Sequence, residues 1–155
     1  MGQNSGVRAT LIIVCGLPGS GKTTHAVRLA AERGGVRLSP DDWMDALAVN
    51  LWDTAMRARL EALQWSLAKD MLRAGVTVVV EWGTWSRAER DTLRVEAREL
   101  GASVELVYLD VPVDELWRRI QQRGREDPPI TRAELEVWSR DFERPTEEEM
   151  VLYNG

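Results

Sequence analysis

Ala9-Thr10-Leu11-Ile12-Ile13-Val14-Cys15-Gly16-Leu17-Pro18-Gly19-Ser20-Gly21-Lys22-Thr23-Thr24 is the stretch on which the reading of this 155-residue chain turns. Its first seven residues form a near-continuous apolar run rich in β-branched side chains, the pattern of a strand buried on both faces of a parallel sheet. Gly16 to Thr23 then fit the pattern G-x-x-x-x-G-K-[ST]. Residues 24–33 read as a helix with Ala26, Leu29 and Ala30 inward, stopped by Gly34-Gly35. A strand, a glycine loop and a helix in this order make an anion cradle. The glycines let backbone N–H groups turn inward, and the helix N-terminus adds its dipole. Gly16, Pro18, Gly19, Ser20, Gly21, Lys22, Thr23 and Thr24 are therefore the candidate nucleotide contacts. Lys22 would reach the β- and γ-phosphates and the Thr23 hydroxyl would ligate Mg²⁺. The expected cofactors are ATP and Mg²⁺.

The rest of the chain alternates short β-branched runs with longer helical patterns, which predicts an α/β domain with a parallel sheet. Val36-Arg37-Leu38 is a short second strand. Ser39 then caps a helix with Pro40 at its first position. Met56, Leu60, Leu63, Leu67 and Met71 recur at spacings of four and three, predicting an amphipathic helix over residues 54–73 that buries this stripe. Residues 76–80 form the strongest strand pattern and end at Glu81. Ser86-Arg87-Ala88-Glu89 is a capping box that opens a helix running to Leu100. Residues 104–109 are a further strand, 113–122 a helix, and Thr131-Arg132-Ala133-Glu134 the cap of another helix to Phe142. Residues 150–153 read as a last short strand. The whole, residues 1–155, is expected to be a single domain, with residues 1–8 as a flexible tail.

Composition narrows the function classes. The net charge is −5 and the isoelectric point about 5.0, which argues against broad nucleic-acid affinity. Cys15 is the sole cysteine, so no internal disulfide forms, which suits a reducing cytoplasm. With one cysteine and one histidine, His25, a structural zinc site is excluded. No apolar run approaches the ~20 residues of a membrane span, and Met1 to Gly6 carry no secretory pattern.

Ligands of open parallel sheets sit beyond the carboxyl ends of the strands. Asp41 and Asp42 follow the second strand, Glu81 the third and Asp110 the fourth. Acids placed there beside a triphosphate loop point to Mg²⁺ handling and a general base. Arg118, Arg119, Arg123, Arg125 and Arg132 crowd a segment around Gly124, the composition of a lid that brings guanidiniums to a transferring phosphoryl group. Arg119 and Arg123, four apart on one helix face, rank first. Of seven tryptophans, Trp65 and Trp117 fall inside helices and read as packing residues. Trp43, Trp82 and Trp85 follow the strand ends that carry Asp41 and Glu81, so they are candidates to line an acceptor site.

These residues resemble the P-loop kinases related to polynucleotide 5′-kinase, zeta toxin and chloramphenicol phosphotransferase, an AAA-type group of small kinases. The resemblance runs through Gly16–Thr24, the Asp41-Asp42 pair, the acid ending strand three, Val107-Tyr108-Leu109-Asp110-Val111-Pro112, and Arg119 with Arg123. It implies a three-layer P-loop NTPase fold with a four- or five-stranded parallel sheet and an arginine-rich helical lid. It also implies that Asp41 deprotonates the acceptor hydroxyl. The chain departs from the group at two points. Met44 stands where polynucleotide kinases carry a phosphate-holding arginine, and Glu81 stands where the group has aspartate.

The function expected is an ATP-dependent, Mg²⁺-requiring phosphotransferase acting on a hydroxyl of a small, cationic or sugar-like molecule. Lys22, Asp41, Arg119 and Arg123 would be catalytic, Thr23 and Glu81 metal-binding, and Asp42, Trp43, Glu81, Trp82 and Trp85 substrate-binding. The alternatives are a polynucleotide 5′-hydroxyl kinase and a nucleotide-binding regulatory or toxin-like protein with little turnover.

Overall fold

The computed structural model describes residues 8–154. The expected tail over residues 1–8 therefore lies, apart from Arg8, outside the described residues. Four strands, β1 (Thr10–Cys15), β2 (Val36–Leu38), β3 (Val78–Val80) and β4 (Ser103–Tyr108), form one parallel sheet in the order β2-β3-β1-β4. The described residues hold seven helices: α1 (Lys22–Arg33), α2 (Pro40–Ala46), α3 (Thr54–Arg73), α4 (Arg87–Glu99), α5 (Val113–Arg123), α6 (Arg132–Asp141) and α7 (Glu147–Val151).

All six residues of β1 are buried, because helices cover both faces of the sheet. Ile12 and Val14 pack with Ala26 of α1 on one face. Leu11, Ile13 and Cys15 point to the larger core on the other, which gathers Ala68 and Leu72 of α3, Leu93 and Ala97 of α4, and Leu116 and Ile120 of α5. Cys15 is fully buried, and burial pushes its thiol up to about 11, so it stays protonated and unreactive at neutral pH. No helix among the described residues is long and apolar enough to cross a membrane.

Two expectations are corrected. Helix α3 spans the predicted residues but turns a different face inward: Leu60, Gln64, Ala68 and Leu72 are buried, while Leu63 is 61 % exposed. The buried row is chosen by a tertiary hydrogen bond and by size. The Trp82 indole N–H donates to Gln64 Oε1 at 2.8 Å, and the small Ala68 lets the helix approach β3. The C-terminal residues form helix α7 rather than a strand. The Thr146 hydroxyl accepts from the Glu149 backbone N–H at 3.2 Å, and the Glu149 side chain is drawn inside by Arg90 at 2.7 Å.

Candidate active site

The loop between β1 and α1 has the geometry its glycines allow. Gly21 ends it at φ 96°, a left-handed conformation that a side chain would strain. A Cβ on Gly16 would stand 2.6 Å from Ser20 Oγ. Lys22 Nζ donates to the Gly16 carbonyl at 2.9 Å, poised over the cradle. Burial lowers the Lys22 pKa, and the charges of Asp41 and Glu81 act against that shift. The Thr23 hydroxyl donates to Glu81 Oε1 at 3.0 Å, and Arg37 on β2 reaches the same oxygen at 3.1 Å. The other carboxylate oxygen, Glu81 Oε2, is buried without a partner. A buried orphan oxygen beside the phosphate loop is what a divalent cation would satisfy. Among the described residues no group of three or more His, Cys, Asp and Glu makes a protein-only metal cage.

A cleft of ≈ 760 Å³ extends from this loop. Lys22, Thr23, Asp41, Glu81, Trp82, Trp85, Arg119 and Arg123 all line it. Asp41 is held by an ion pair with Arg57 of α3, whose other nitrogen donates to the Leu51 carbonyl at 2.9 Å. Burial pushes the Asp41 carboxyl up, but the Arg57 charge and hydrogen bond outweigh it, and the net pKa lies below the usual range. Asp41 is therefore a carboxylate at neutral pH, able to accept a proton or orient a hydroxyl.

Two of the candidate substrate contacts lie elsewhere. Asp42 does not line the cleft; it pairs with Arg37 and, at 3.4 Å, with Arg125. Trp43 is half-buried on α2, two residues after Asp41 and so turned to the other side of the helix, where it packs against the large core. Met44 is fully buried, so the position where polynucleotide kinases carry an arginine points into the core here.

The arginine segment divides in the same way. Arg119 pairs with Glu115 at 2.9 Å and donates to the Gly19 carbonyl at 3.3 Å, which ties α5 to the phosphate loop. Arg123 and Arg125 also line the cleft, held by Glu126 and by Asp45. Arg118 and Arg132 form surface pairs with Glu115 and Asp114 and do not line it. Across the cleft mouth, Asn50 Nδ2 donates to the Asp127 carbonyl at 2.8 Å and Trp52 Nε1 to the Pro128 carbonyl at 2.6 Å.

The cleft is also walled by residues that sequence reading missed. Trp52 and Trp138 run in a row with the expected Trp85, with ring centroids 5.9 Å apart at each step. Glu61 of α3 and Glu89 of α4 line the same space. The signals were present. Arg57 and Glu61 continue the inward row of Gln64 and Ala68 on α3. Trp138 sits three residues after Leu135 and four before Phe142, both buried. Thr84 adds a strained element: it is 4 % exposed and adopts φ 45°, unusual for a β-branched residue.

Burial raises the Glu61 pKa; Arg57 opposes this, while the nearby Glu89 and Asp41 add to it. The consequence for stability has a definite sign. A carboxyl whose folded pKa is raised holds its proton longer in the folded state, so its contribution is full below the ordinary value of 4.5 and is lost as pH rises through the raised value. Glu61→Gln should therefore gain Tm over the wild type as pH goes from 4 to 7, read by thermal melts at each pH. A gap that shrinks over that range would contradict the desolvated setting of Glu61.

The likenesses to known proteins fit this geometry. An adenylate kinase of Bacteroides fragilis is 26 % identical over 156 residues, covering 92 % of this chain and 78 % of the relative. A chain of the Pnkp1/Rnl/Hen1 RNA repair complex superposes with a TM-score of 0.74 at 22 % identity over 90 % of this chain, which spans 45 % of that longer chain. A gluconokinase from Sinorhizobium meliloti superposes with a TM-score of 0.65 at 22 % identity, covering 92 % of this chain and 80 % of the neighbour. The chain also matches the model of the family AAA_33, described as an AAA domain, across residues 11–145. Strand, phosphate loop, parallel sheet and arginine segment together with that match place the chain in the AAA_33 family, with the fold of the small P-loop kinases.

Proposed function

We propose that this protein is an ATP-dependent phosphotransferase that moves the γ-phosphoryl group to a hydroxyl of a small molecule. The observation that supports the reading is that Lys22, Thr23, Asp41, Arg119 and Arg123 all line one cleft. Phosphoryl transfer needs positioning and charge neutralisation more than covalent chemistry. The loop N–H groups and Lys22 would hold the phosphates. The Asp41 carboxylate would accept a hydrogen bond from the acceptor hydroxyl, align its oxygen with the γ-phosphorus and take its proton. Arg119 and Arg123, one turn apart on α5, would meet the charge that develops on the transferring group. The Thr23 hydroxyl and the partnerless Glu81 oxygen fit Mg²⁺ bound with the nucleotide, which supplies further charge neutralisation.

The test is an ATP-consumption screen of purified protein against a panel of hydroxylated metabolites and antibiotics, with mass spectrometry for the phosphate adduct. Lys22→Ala is the control: it should lower turnover about 10²–10³-fold, the loss that follows removal of one preorganised charge-stabilising donor, while the far-ultraviolet circular dichroism is retained. Wild-type turnover in Lys22→Ala would remove the phosphate-loop assignment. Tight nucleotide binding with no acceptor-stimulated ATP consumption would favour a regulatory nucleotide switch instead. A 5′-hydroxyl of nucleic acid is the second reading, favoured by the likeness to the RNA-repair chain. The acidic pI and buried Met44 count against it, and a gel shift with short oligonucleotides separates the two.

A further inference from the structure

The charges that line the cleft are unevenly satisfied. Asp41 is taken by Arg57, Arg123 by Glu126 and Arg125 by Asp45. Lys22 faces the phosphate loop. Glu61 is different: among the described residues it has no ion pair and no side-chain hydrogen bond. Glu89 has only its capping contact with the Ser86 hydroxyl, at 3.2 Å. Both carboxylates belong to the acceptor end, and they lie near enough to each other for mutual repulsion to add to the raised Glu61 pKa. The same space is faced by the Trp52–Trp138–Trp85 row.

We propose that the acceptor carries a cationic nitrogen, a protonated or quaternary amine, seated between Glu61, Glu89 and the indole wall. Its hydroxyl then faces Asp41. This inference rests on the phosphotransferase reading and deepens it to a substrate class: hydroxylated amines such as amino alcohols and amino sugars. Three physical terms converge on a cation. The unpaired Glu61 carboxylate, in a partly desolvated wall, gains from a positive partner, and the exposed Glu89 adds its charge. Indole faces attract cations through their ring quadrupole. A neutral acceptor would leave the Glu61 carboxylate without a partner, and an anionic one would be repelled by both acids. The cleft is within the size range of small-molecule sites.

Two measurements test it. In the first, tryptophan fluorescence of protein loaded with Mg²⁺ and a non-hydrolysable ATP analogue is titrated with benzyltrimethylammonium, a cation that has no hydroxyl to phosphorylate, and with neutral benzyl alcohol. The cation should quench saturably. Its affinity should fall about 10–100-fold in Glu61→Gln/Glu89→Gln, the scale of losing the Coulombic attraction of nearby carboxylates for a cation that has no N–H to donate, and partially in Glu61→Gln alone. A cooperative melt with a Tm no lower than that of the wild type, and matching ATP affinity, show that the variants are folded. Absence of saturable quenching, or affinity unchanged in the folded double variant, overturns the cation site. In the second, ATP consumption is compared for ethanolamine, choline and glucosamine against glycerol and glucose. A higher kcat/KM for the amines supports the proposal. Equal or better turnover of the neutral acceptors overturns it and leaves the phosphotransferase reading standing. Turnover of none of them, beside a Glu61-dependent quench, upholds the cation site and overturns the phosphotransferase reading.

Discussion

Asp41→Asn should bind ATP as tightly as the wild type and phosphorylate its acceptor about 10²–10⁴-fold more slowly, the range of a general base's contribution. The substitution keeps the shape of the side chain and its place in the first turn of α2, so neither the phosphate loop nor the fold should change. What it removes is the negative charge. In the wild type that charge is secured by Arg57 and survives into acid, because the ion pair holds the carboxyl below its ordinary value. Arg57 therefore does two things at once: it keeps Asp41 ionised and, through the Leu51 carbonyl, fixes the guanidinium that aims it. The experiment is steady-state kinetics with the best acceptor of the panel, alongside ATP affinity by calorimetry. Loss of kcat with unchanged ATP affinity is the signature of an interaction made in the transition state. Normal turnover would reduce Asp41 to an acid that favours the α2 dipole, and Glu81 would become the candidate base.

Arg90→Ala should cost about 3–5 kcal/mol of stability, the penalty for breaking a buried ion pair and leaving one charge uncompensated. Arg90 has no solvent exposure and Glu149 has 1 %. The two are joined by a bidentate pair, Nε to Oε2 at 2.7 Å and Nη2 to Oε1 at 2.9 Å. Arg90 also donates to the carbonyls of Thr84 at 2.8 Å and Glu143 at 2.7 Å, so its loss orphans two backbone acceptors as well. Urea denaturation measures the cost. Replacing both partners together, Arg90→Met with Glu149→Met, should recover much of it, since no lone charge is left inside. A cost below about 1 kcal/mol for the single substitution would mean that the clamp is solvated in solution. The clamp also reaches the cleft: it grips Thr84 directly, and the neighbouring Glu143 N–H donates to the Trp85 carbonyl at 2.8 Å. A folded double variant should thus show a looser Trp85 wall and a raised acceptor KM, with the ATP KM little changed.

Much of the backbone was legible from local pattern. The buried run of β1, the glycine loop, the Ser39, Ser86 and Thr131 caps and the bounds of α3 are decided within a few residues of one another, by hydrogen bonds and φ preferences that need no distant partner. The same locality made Lys22, Thr23, Asp41 and Glu81 recognisable as strand-end residues of one cleft. The inward face of α3 was not legible, because a stripe of Leu63 and Leu67 competes with a row that contains Gln64, and only the Trp82 indole tips the choice. The C-terminal helix was misread for a related reason: the Thr146-to-Glu149 cap lay in the chain, but the buried arginine that selects it sits 59 residues away. The lining of the cleft was decided in the same way. Trp52 meets Trp138, Arg57 meets Asp41 and Glu61 nears Glu89 only because α2, α3, α4 and α6 converge around the carboxyl ends of the strands. The sequence by itself determined a phosphate-binding α/β fold, whose signals are local and repeat along the chain. The tertiary structure decided which charges are paired and which face the cleft, since pairing over long separations follows from how amphipathic helices dock and not from any one of them alone.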